Sequence, residues 1–313
     1  MEKIIVRERG LEKFNPLERV LVYDDFDLGF NGWLDLTPNF VYDNYLPNAC
    51  QVDLGSWGPC MISAAPMRFA ASHGSMEGTY SLKLSTRPNS RPYQEPPADG
   101  GMGFAIKRLS RVNEDRYLQL ETWYSYTPQQ DRWGIGEEDI RAFGLLFDIQ
   151  DSTYRWMPGV RYVNSVNGRK TKRWQYFCVT EGVTREEWTG NPDGWEAPGI
   201  DPMWSGRRYP DGSADGFQWI PDGEQQLVYN EGPDKLNWLY ARLLIDYDRR
   251  EYVELQSMDR TFDLRGLATT PAPKYAGVTG LINPAFFIET DADRSVFLYL
   301  DSVVYSTGNQ PRT

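Results

Sequence analysis

Two glutamates in strand-like segments have the chemistry needed to cleave a glycosidic bond. Glu121 and Glu254 each alternate with apolar neighbours, so both are predicted to project from the outer face of a strand. Glycoside hydrolysis commonly pairs a carboxylic acid with a second carboxylate, about 5–5.5 Å apart for retention and about 6.5–9.5 Å apart for inversion. Burial beside a tryptophan would raise the pKa of one glutamate and make it the acid. Asp148 and Glu289 are the reserve candidates.

A lyase reaction would use different groups. Its base would be a tyrosine or a lysine, and an arginine would neutralise the carboxylate of the substrate. Arg161 with Tyr162 or Tyr240 provides such a set. These residues come from distant strands, so spacing along the chain leaves hydrolase and lyase both open.

Aromatic side chains accompany these charged groups. The chain has 11 Trp, 19 Tyr and 14 Phe, which favour strands and also offer flat faces for sugar rings. A surface that combines rings with acids and arginines suits a carbohydrate, because its hydroxyls form hydrogen bonds with charged groups. The residues predicted to contact a sugar are Trp123, Arg161, Tyr162, Trp174, Tyr176, Trp238, Tyr240, Arg242 and Gln256. Packing in the core of a large sandwich is the alternative explanation for the same rings.

Residue counts exclude several other kinds of enzyme and partner. His73 is the only histidine, whereas zinc enzymes and serine or cysteine hydrolases usually depend on histidine. The sequence has no nucleophile elbow, phosphate loop or dinucleotide fingerprint, so no organic cofactor is expected. The net charge of −11 disfavours both nucleic acid and an acidic membrane surface as partners.

Cysteine spacing and the N-terminus predict a cytoplasmic protein. Cys50, Cys60 and Cys178 form no metal-type pair, and free thiols are typical of a reducing compartment. The opening segment MEKIIVRERGLEKF carries charges where a signal peptide would have an apolar run. No apolar stretch approaches the ~20 residues that span a bilayer.

Short strands must position all of these groups. Period-two alternation is clearest in 79–86 and 117–126, and in 250–258 it predicts that Tyr252 faces outward with Glu254 and Gln256. Further strand patterns cover 20–27, 142–150, 154–164, 172–180, 238–247, 281–289 and 295–306. Turn residues at 167–168, 246–250 and 291–293 favour antiparallel pairing of successive strands. We therefore predict an all-β fold, an antiparallel jelly-roll β-sandwich that forms one domain over residues 1–313.

A long segment interrupts the strand pattern. Residues 181–236 contain Trp188, Trp195, Trp204 and Trp219 among many Gly, Pro and Asp residues. Loops of this length are usually functional or disordered, and disorder normally depletes aromatics. We therefore expect an ordered insertion loop that contacts the face carrying Trp123 and Tyr240.

Several segments carry a resemblance to a known group of folds. They are 24–33 (DDFDLGFNGW), 78–84 (GTYSLKL), 237–247 with 251–255, and 299–304 (YLDSVV). In this order they resemble strands of concanavalin A-like and related carbohydrate-binding jelly rolls. The resemblance spans most of the chain and implies a carbohydrate ligand.

The same resemblance implies a structural calcium ion between the first and last strands. Asp25 or Asp27 and Asp301 would supply carboxylates, and main-chain oxygens near residues 72–78 would complete the shell of six to eight oxygens. The alternative is that these acids cap turns or stay solvated.

Three hypotheses for function follow. The first is a glycosidase or lyase that acts on a small glycoside or oligosaccharide. The second is a non-catalytic, lectin-like protein, which would need no paired acids in its groove. The third is a structural or assembly protein whose aromatic insertion forms an interface in a homo-oligomer.

Overall fold

The structure of the protein is a computed structural model. It describes residues 9–35, 61–64, 74–86, 101–110, 115–128, 136–152, 154–166, 168–178, 217–229, 237–267, 269, 272–273, 280–290, 292 and 294–311. Two short 3₁₀ turns, Arg9–Lys13 and Glu137–Asp139, occur among these residues. The rest of the regular structure there is β-strand.

Seventeen strands lie within the described residues. In chain order they are β1 Arg19–Asp24, β2 Trp33–Asp35, β3 Met61–Ala64, β4 Tyr80–Ser85, β5 Gly101–Lys107, β6 Tyr117–Pro128, β7 Ile140–Gln150, β8 Tyr154–Trp156, β9 Gly159–Val166, β10 Arg169–Phe177, β11 Phe217–Glu224, β12 Leu239–Asp246, β13 Glu251–Ser257, β14 Arg260–Asp263, β15 Ala272–Pro273, β16 Leu281–Thr290 and β17 Val296–Gly308.

The strands form two antiparallel sheets that pack face to face. The first sheet has the order β14-β13-β12-β6-β17-β4-β3, and β1 also pairs with β17. The second has the order β11-β10-β9-β7-β16-β5-β2, and β8 joins β7 to β15. One apolar cluster with members from both sheets fills the space between them. The predicted all-β, antiparallel jelly-roll sandwich is confirmed.

Alternation along the central strands explains which side chains reach the core. In β6, Leu118, Leu120 and Tyr124 belong to the core cluster, whereas Glu121 and Trp123 occupy the alternate positions on the outer face. In β12, the apolar residues Leu239, Ala241, Leu243 and Ile245 likewise point inward. The outer face of the first sheet therefore carries the polar and aromatic side chains of these neighbouring strands.

A register shift overturns one predicted orientation. The pairing of β12 with β13 moves from Leu244↔Glu254 to Ile245↔Tyr252, which leaves Val253 as an extra residue. Tyr252 consequently points inward and is only 1% exposed. Its hydroxyl lies 2.7 Å from the carbonyl oxygen of Phe177 and 3.0 Å from that of Gly159, either of which can accept its proton. It also accepts from the N–H of Gly159, so it links the first sheet to the second.

Two of the three predicted turns join paired neighbours, and the third does not. β9 pairs with β10, with Gly168 at a φ of 74° between them, and β12 pairs with β13. β16, however, pairs with β5 and β7 in the second sheet, whereas β17 lies in the first. The chain therefore passes from the second sheet to the first between Thr290 and Val296, whereas a hairpin was expected.

Part of the predicted insertion is a strand. β11 pairs with β10 at the edge of the second sheet, and Trp219 packs against Ala142, Val163 and Val166 there. This portion does not lie on the Trp123 face, contrary to the expectation. Trp188, Trp195 and Trp204 lie outside the described residues, as do His73, Cys50 and Cys60.

Two further predictions concern single features of the chain. Cys178 is a buried free thiol, as expected, and burial raises its pKa. In the described parts of the chain, no helix is both long and apolar enough to cross a membrane.

Candidate functional site

An N-terminal segment lies across the outer face of the first sheet and forms one wall of a cleft. Residues 12–15 provide this wall, and strands β6, β12 and β13 provide the floor. The cleft has a volume of about 420 Å³. Its lining residues are Glu12, Lys13, Phe14, Asn15, Trp123, Tyr240, Gln256 and Met258.

Hydrogen bonds attach this segment to the sheet. The indole N–H of Trp123 donates to the carbonyl of Lys13 at 3.4 Å, and the side-chain amide of Gln119 donates to the carbonyl of Asn15 at 2.8 Å. Further along, the N–H of Leu17 donates to Oγ of Ser306 at 3.0 Å. The sheet therefore supplies donors and acceptors to the backbone of the segment, which fixes the wall of the cleft.

Glu121 lies behind the cleft and is 0% exposed. Its Oε1 accepts hydrogen bonds from the hydroxyl of Tyr240 at 2.6 Å and from the N–H of Asn15 at 2.8 Å. Its Oε2 accepts from Nε2 of Gln119 at 2.9 Å. Burial raises the pKa of Glu121, and these hydrogen bonds and the charge of Arg242 oppose that shift only in part.

The second predicted acid lies on the same face but is paired with a cation. Glu254 forms an ion pair with Arg242, and its side chain is 29% exposed. Across the sheet, Arg242 is aligned with Glu121 on one side and with Gln256 on the other. Strand β12, which carries Arg242, therefore lies between the strands that carry the two glutamates. The structure places the predicted pair on the same face of the sheet, but each carboxylate already has protein partners.

Aromatic rings form the central part of this face. The rings of Trp123 and Tyr240 have centroids 5.4 Å apart at an interplanar angle of 50°, and Phe14 lies 6.4 Å from Tyr240. Trp238 packs against Phe297 and Tyr299 further along the same sheet. The rings of Trp123, Phe14 and Tyr240 meet at the cleft, where a flat apolar ligand surface can stack on them.

Three of the predicted sugar-contacting aromatics lie elsewhere. Tyr162, Trp174 and Tyr176 belong to the core cluster, and the first two are 0% exposed. Side chains alternate regularly between the two faces of β9 and β10, but the face that carries these aromatic residues points into the core. The hydroxyl of Tyr162 donates to the carbonyl of Gln225, and the indole of Trp174 donates to Oε1 of Gln225, so these polar atoms serve the interior. The prediction that Tyr162, Trp174 and Tyr176 contact a sugar is therefore corrected: their rings are part of the core.

Arg161 lies on the outer face of the second sheet and not in the cleft. Its Nη1 is 3.2 Å from Oε1 of Glu289, its Nε donates to Gln175 at 2.7 Å, and its guanidinium lies 4.0 Å from the ring centroid of Phe217. Arg161 and Tyr240, proposed together for a lyase, are therefore on different sheets, and Tyr162 is buried. Burial also raises the pKa of Tyr240, which is the opposite of what a tyrosine base needs.

The reserve acids also belong to the second sheet. Asp148 on β7 is aligned with Asn283 on β16, and Glu289 pairs with Arg161. Neither reserve acid lines the cleft beside Trp123.

The residues predicted to hold calcium bind nitrogen donors instead. Oδ1 of Asp27 accepts from the N–H groups of Thr79 and Tyr80, and Oδ1 of Asp25 accepts from the N–H of Asp27. Asp301 accepts from the N–H groups of Met76 and Glu77.

A lysine completes the surroundings of Asp301. Its Oδ2 lies 2.9 Å from the ammonium of Lys13. A calcium shell needs oxygens, and among the described residues no three acids, histidines or cysteines are grouped so that they could hold a metal ion. The donors present therefore do not fit calcium as arranged, and a metal at Asp25, Asp27 and Asp301 stays a prediction.

Sequence reasoning missed the residues of the cleft wall. Lys13, Phe14 and Asn15 fall at the end of the charged opening segment, where the apolar Phe14 and Leu17 are the signals that it packs. Backbone groups of Lys13, Asn15 and Leu17 make four hydrogen bonds to the sheet, and backbone groups leave no mark in residue types.

The two packed sheets define a jelly-roll β-sandwich with a cleft on one outer face. The chain belongs to the family described as "Domain of unknown function (DUF6772)", whose model matches residues 1–309. No curated protein sequence matches the chain significantly.

Solved structures with a similar arrangement include carbohydrate-related proteins. The potassium-bound carbohydrate recognition domain of Emp46p has 8% identity and a TM-score of 0.39, with 89% of this chain and 98% of that chain covered. Alginate lyase vAL-1 from Chlorella virus has 10% identity and a TM-score of 0.38, with coverage of 81% and 93%. Lectin I from Ulex europaeus, bound to a methyl glycoside of fucose, has 8% identity and a TM-score of 0.34, with coverage of 80% and 92%. At these values no ligand, activity or site residue is transferred to this chain.

Proposed function

We propose that this chain is a carbohydrate-binding protein, and that the cleft beside Trp123 and Tyr240 holds the sugar without cleaving it. The main support is that rings and hydrogen-bonding groups line one open cleft of about 420 Å³. Ligand pockets commonly combine aromatic walls with a few polar groups that fix orientation. Here Trp123 and Phe14 offer apolar faces, whereas Asn15, Gln256 and Glu12 offer groups for sugar hydroxyls.

The state of the two glutamates supports binding over cleavage. Glu121 already accepts three hydrogen bonds from protein groups and has no exposed surface. Glu254 is neutralised by Arg242. A general acid must reach the glycosidic oxygen within hydrogen-bonding distance, and neither carboxyl is free to do so in this arrangement.

Hydrolysis is the second candidate, and one observation favours it. Burial raises the pKa of Glu121, which is the property that a catalytic acid of a glycosidase needs. A shift of residues 12–15 would be required to open a path to this carboxyl.

The expected cytoplasmic location and self-association stay predictions.

The test is a binding screen with two matched tryptophan variants. The protein is screened against a panel of neutral, amino and acidic oligosaccharides, and the affinity of each hit is measured by calorimetry. Trp123→Ala removes a half-buried ring from the cleft, and Trp219→Ala removes a half-buried ring from the other sheet. We expect Trp123→Ala to weaken binding at least about tenfold, a change of about 1.4 kcal/mol, and Trp219→Ala to leave the affinity unchanged.

Two outcomes would reject this function. One is that no oligosaccharide binds the folded wild-type protein. The other is that a bound sugar is lost in Trp219→Ala and kept in Trp123→Ala, which would move the site to the second sheet.

A further inference from the structure

The charged groups around the cleft are mainly acidic. Among the described residues that line or adjoin it are five carboxylates and two cations. Glu12 and Lys13 line the cleft itself. The others interact with lining residues: Glu77 and Asp301 with Lys13, Glu121 with Asn15 and Tyr240, and the Arg242–Glu254 ion pair with Tyr240. Their net charge is −3 when Glu121 is ionised and −2 when it is protonated.

Both cations of this set are already paired. The ammonium of Lys13 lies 2.9 Å from Asp301 and 3.0 Å from Glu77. The guanidinium of Arg242 bonds to Glu254. Lys83, on the same face, lies over the rings of Phe297 and Tyr299 and does not line the cleft. An incoming carboxylate would therefore have to displace an existing ion pair to find a positive partner.

The aromatic groups in the cleft also favour a positive ligand. Trp123 presents the ring type that attracts cations most strongly, and Tyr240 lies 5.4 Å from it. A cation placed over such a ring is attracted by the negative charge of the ring face. Glu12, at the rim, is exposed and adds a carboxylate that an ammonium group can approach.

We infer that the cleft selects an amino sugar, meaning a sugar unit with a free ammonium group, over its neutral counterpart and over a uronate. This inference rests on the proposed function, since it names the ligand class of the same cleft. The ring faces hold the sugar by stacking, and the surplus of carboxylates sets the sign of the charge that is accepted.

The experiment compares three oligosaccharides of equal length on the full chain. They are a glucosamine oligomer, its N-acetylated neutral form and a galacturonate oligomer, measured by calorimetry at low salt and at a pH that keeps the amine protonated. We expect the glucosamine oligomer to bind about tenfold more tightly than the neutral form, and the galacturonate oligomer to bind most weakly. The preference should shrink in about 1 M salt, where charges are screened beyond about 3 Å.

A pair of charge variants tests the origin of the preference. Glu12→Gln should reduce affinity for the glucosamine oligomer several-fold more than affinity for the neutral form, because only the charged oligomer loses an ionic partner. Glu224→Gln is the matched control, because Glu224 is an exposed acid on β11 of the other sheet. It should alter neither affinity.

The outcomes separate this inference from the proposed function. Equal binding of amino and neutral oligomers, tighter binding of the uronate, or a preference unchanged by both high salt and Glu12→Gln would overturn the inference and leave carbohydrate binding intact. Failure of all three oligomers and of the wider panel to bind would reject the proposed function itself.

Discussion

The hydroxyl of Tyr240 donates a hydrogen bond of 2.6 Å to Oε1 of Glu121, and the backbone N–H of Asn15 donates to the same oxygen at 2.8 Å. One carboxyl oxygen therefore connects β12 to the N-terminal segment, while Glu121 itself belongs to β6. The contact fixes the hydroxyl of Tyr240 and leaves its ring as part of the floor of the cleft. Glu121 thus has a positioning role in this arrangement.

Replacing this carboxyl should affect stability. Glu121→Gln keeps the shape of the side chain but puts an NH₂ group where an oxygen now accepts a hydrogen bond. A buried donor left facing another donor costs about 1–3 kcal/mol. We expect a lower midpoint in urea denaturation and weaker sugar binding.

The same variant distinguishes binding from catalysis. If the protein hydrolyses a glycoside, Glu121→Gln should reduce turnover at least about a hundredfold while the ligand still binds, because general acid–base steps contribute about 10²–10⁴-fold. Glu254→Gln serves as the comparison, since it removes a charge that is paired with Arg242. Selective loss of turnover in both variants would favour the glycosidase hypothesis over the proposed binding function.

Glu121 should also make stability depend on pH. Burial raises its pKa in the folded protein above the ordinary value of 4.5, so the folded state holds the proton more tightly than the unfolded state. The contribution of this group is most favourable below pH 4.5 and is lost as the pH rises through the folded pKa. The free energy of unfolding, measured across this range in wild type and Glu121→Gln, should therefore differ most at the acidic end. A difference that is the same at every pH would contradict the raised pKa.

Period-two alternation predicts much of the fold and part of the site. It identifies the inward leucines of β6 and β12 and places Glu121, Trp123 and Tyr240 on one outer face. Alternation alone does not identify the core face of a strand that carries large residues on both faces. This is the case in β9 and β10, where Trp174 lies in the core. Alternation also fails at an extra residue such as Val253, because a bulge reverses the facing of everything beyond it. The segment over the cleft is held largely through its backbone, which residue types do not reveal.

Lys83 should titrate at an unusually low pH. Burial lowers its pKa to about 8, and its ammonium lies 4.2 Å from the ring centroid of Phe297. After reductive ¹³C-methylation, one lysine signal should titrate near pH 8 by NMR and should be missing from Lys83→Met. Lys170 is an internal comparison, since its hydrogen bond to Glu137 raises its pKa above the ordinary value. A Lys83 signal that titrates with the other lysines would show that the ammonium is solvated.

Replacing Lys13 should destabilise the protein, whereas a calcium chelator should not, because the ammonium of Lys13 already balances the charge of Asp301. Asp301 is 1% exposed, and the ammonium of Lys13 lies 2.9 Å from its Oδ2. Lys13→Met leaves this buried carboxylate without its cation, and we expect the free energy of unfolding to fall by about 1–3 kcal/mol. Excess chelator should leave the melting temperature of the wild type unchanged, because only a metal bound to the native state would stabilise it. A melting temperature that falls with chelator and recovers with added calcium would instead support the metal site at Asp25, Asp27 and Asp301.

The ion pair between Arg161 and Glu289 should contribute to stability, although it lies on the outer face of its sheet. Both side chains are 2% exposed, and Arg141 lies 3.6 Å from the second oxygen of Glu289. Removing one partner of a buried pair typically costs about 3–5 kcal/mol, because the other charge stays buried. We expect Glu289→Gln to lower the free energy of unfolding by an amount in this range.

An exposed ion pair and a double variant complete this test. Arg265 and Asp263 have side chains that are 73% and 59% exposed, so Arg265→Ala should have no measurable effect. Replacing Arg161 and Glu289 together by leucine should cost less than the sum of the two single replacements, because both single replacements lose the same Arg161–Glu289 ion pair. Strictly additive losses would show that the two groups act independently, and each would then owe its effect to other neighbours on the second sheet.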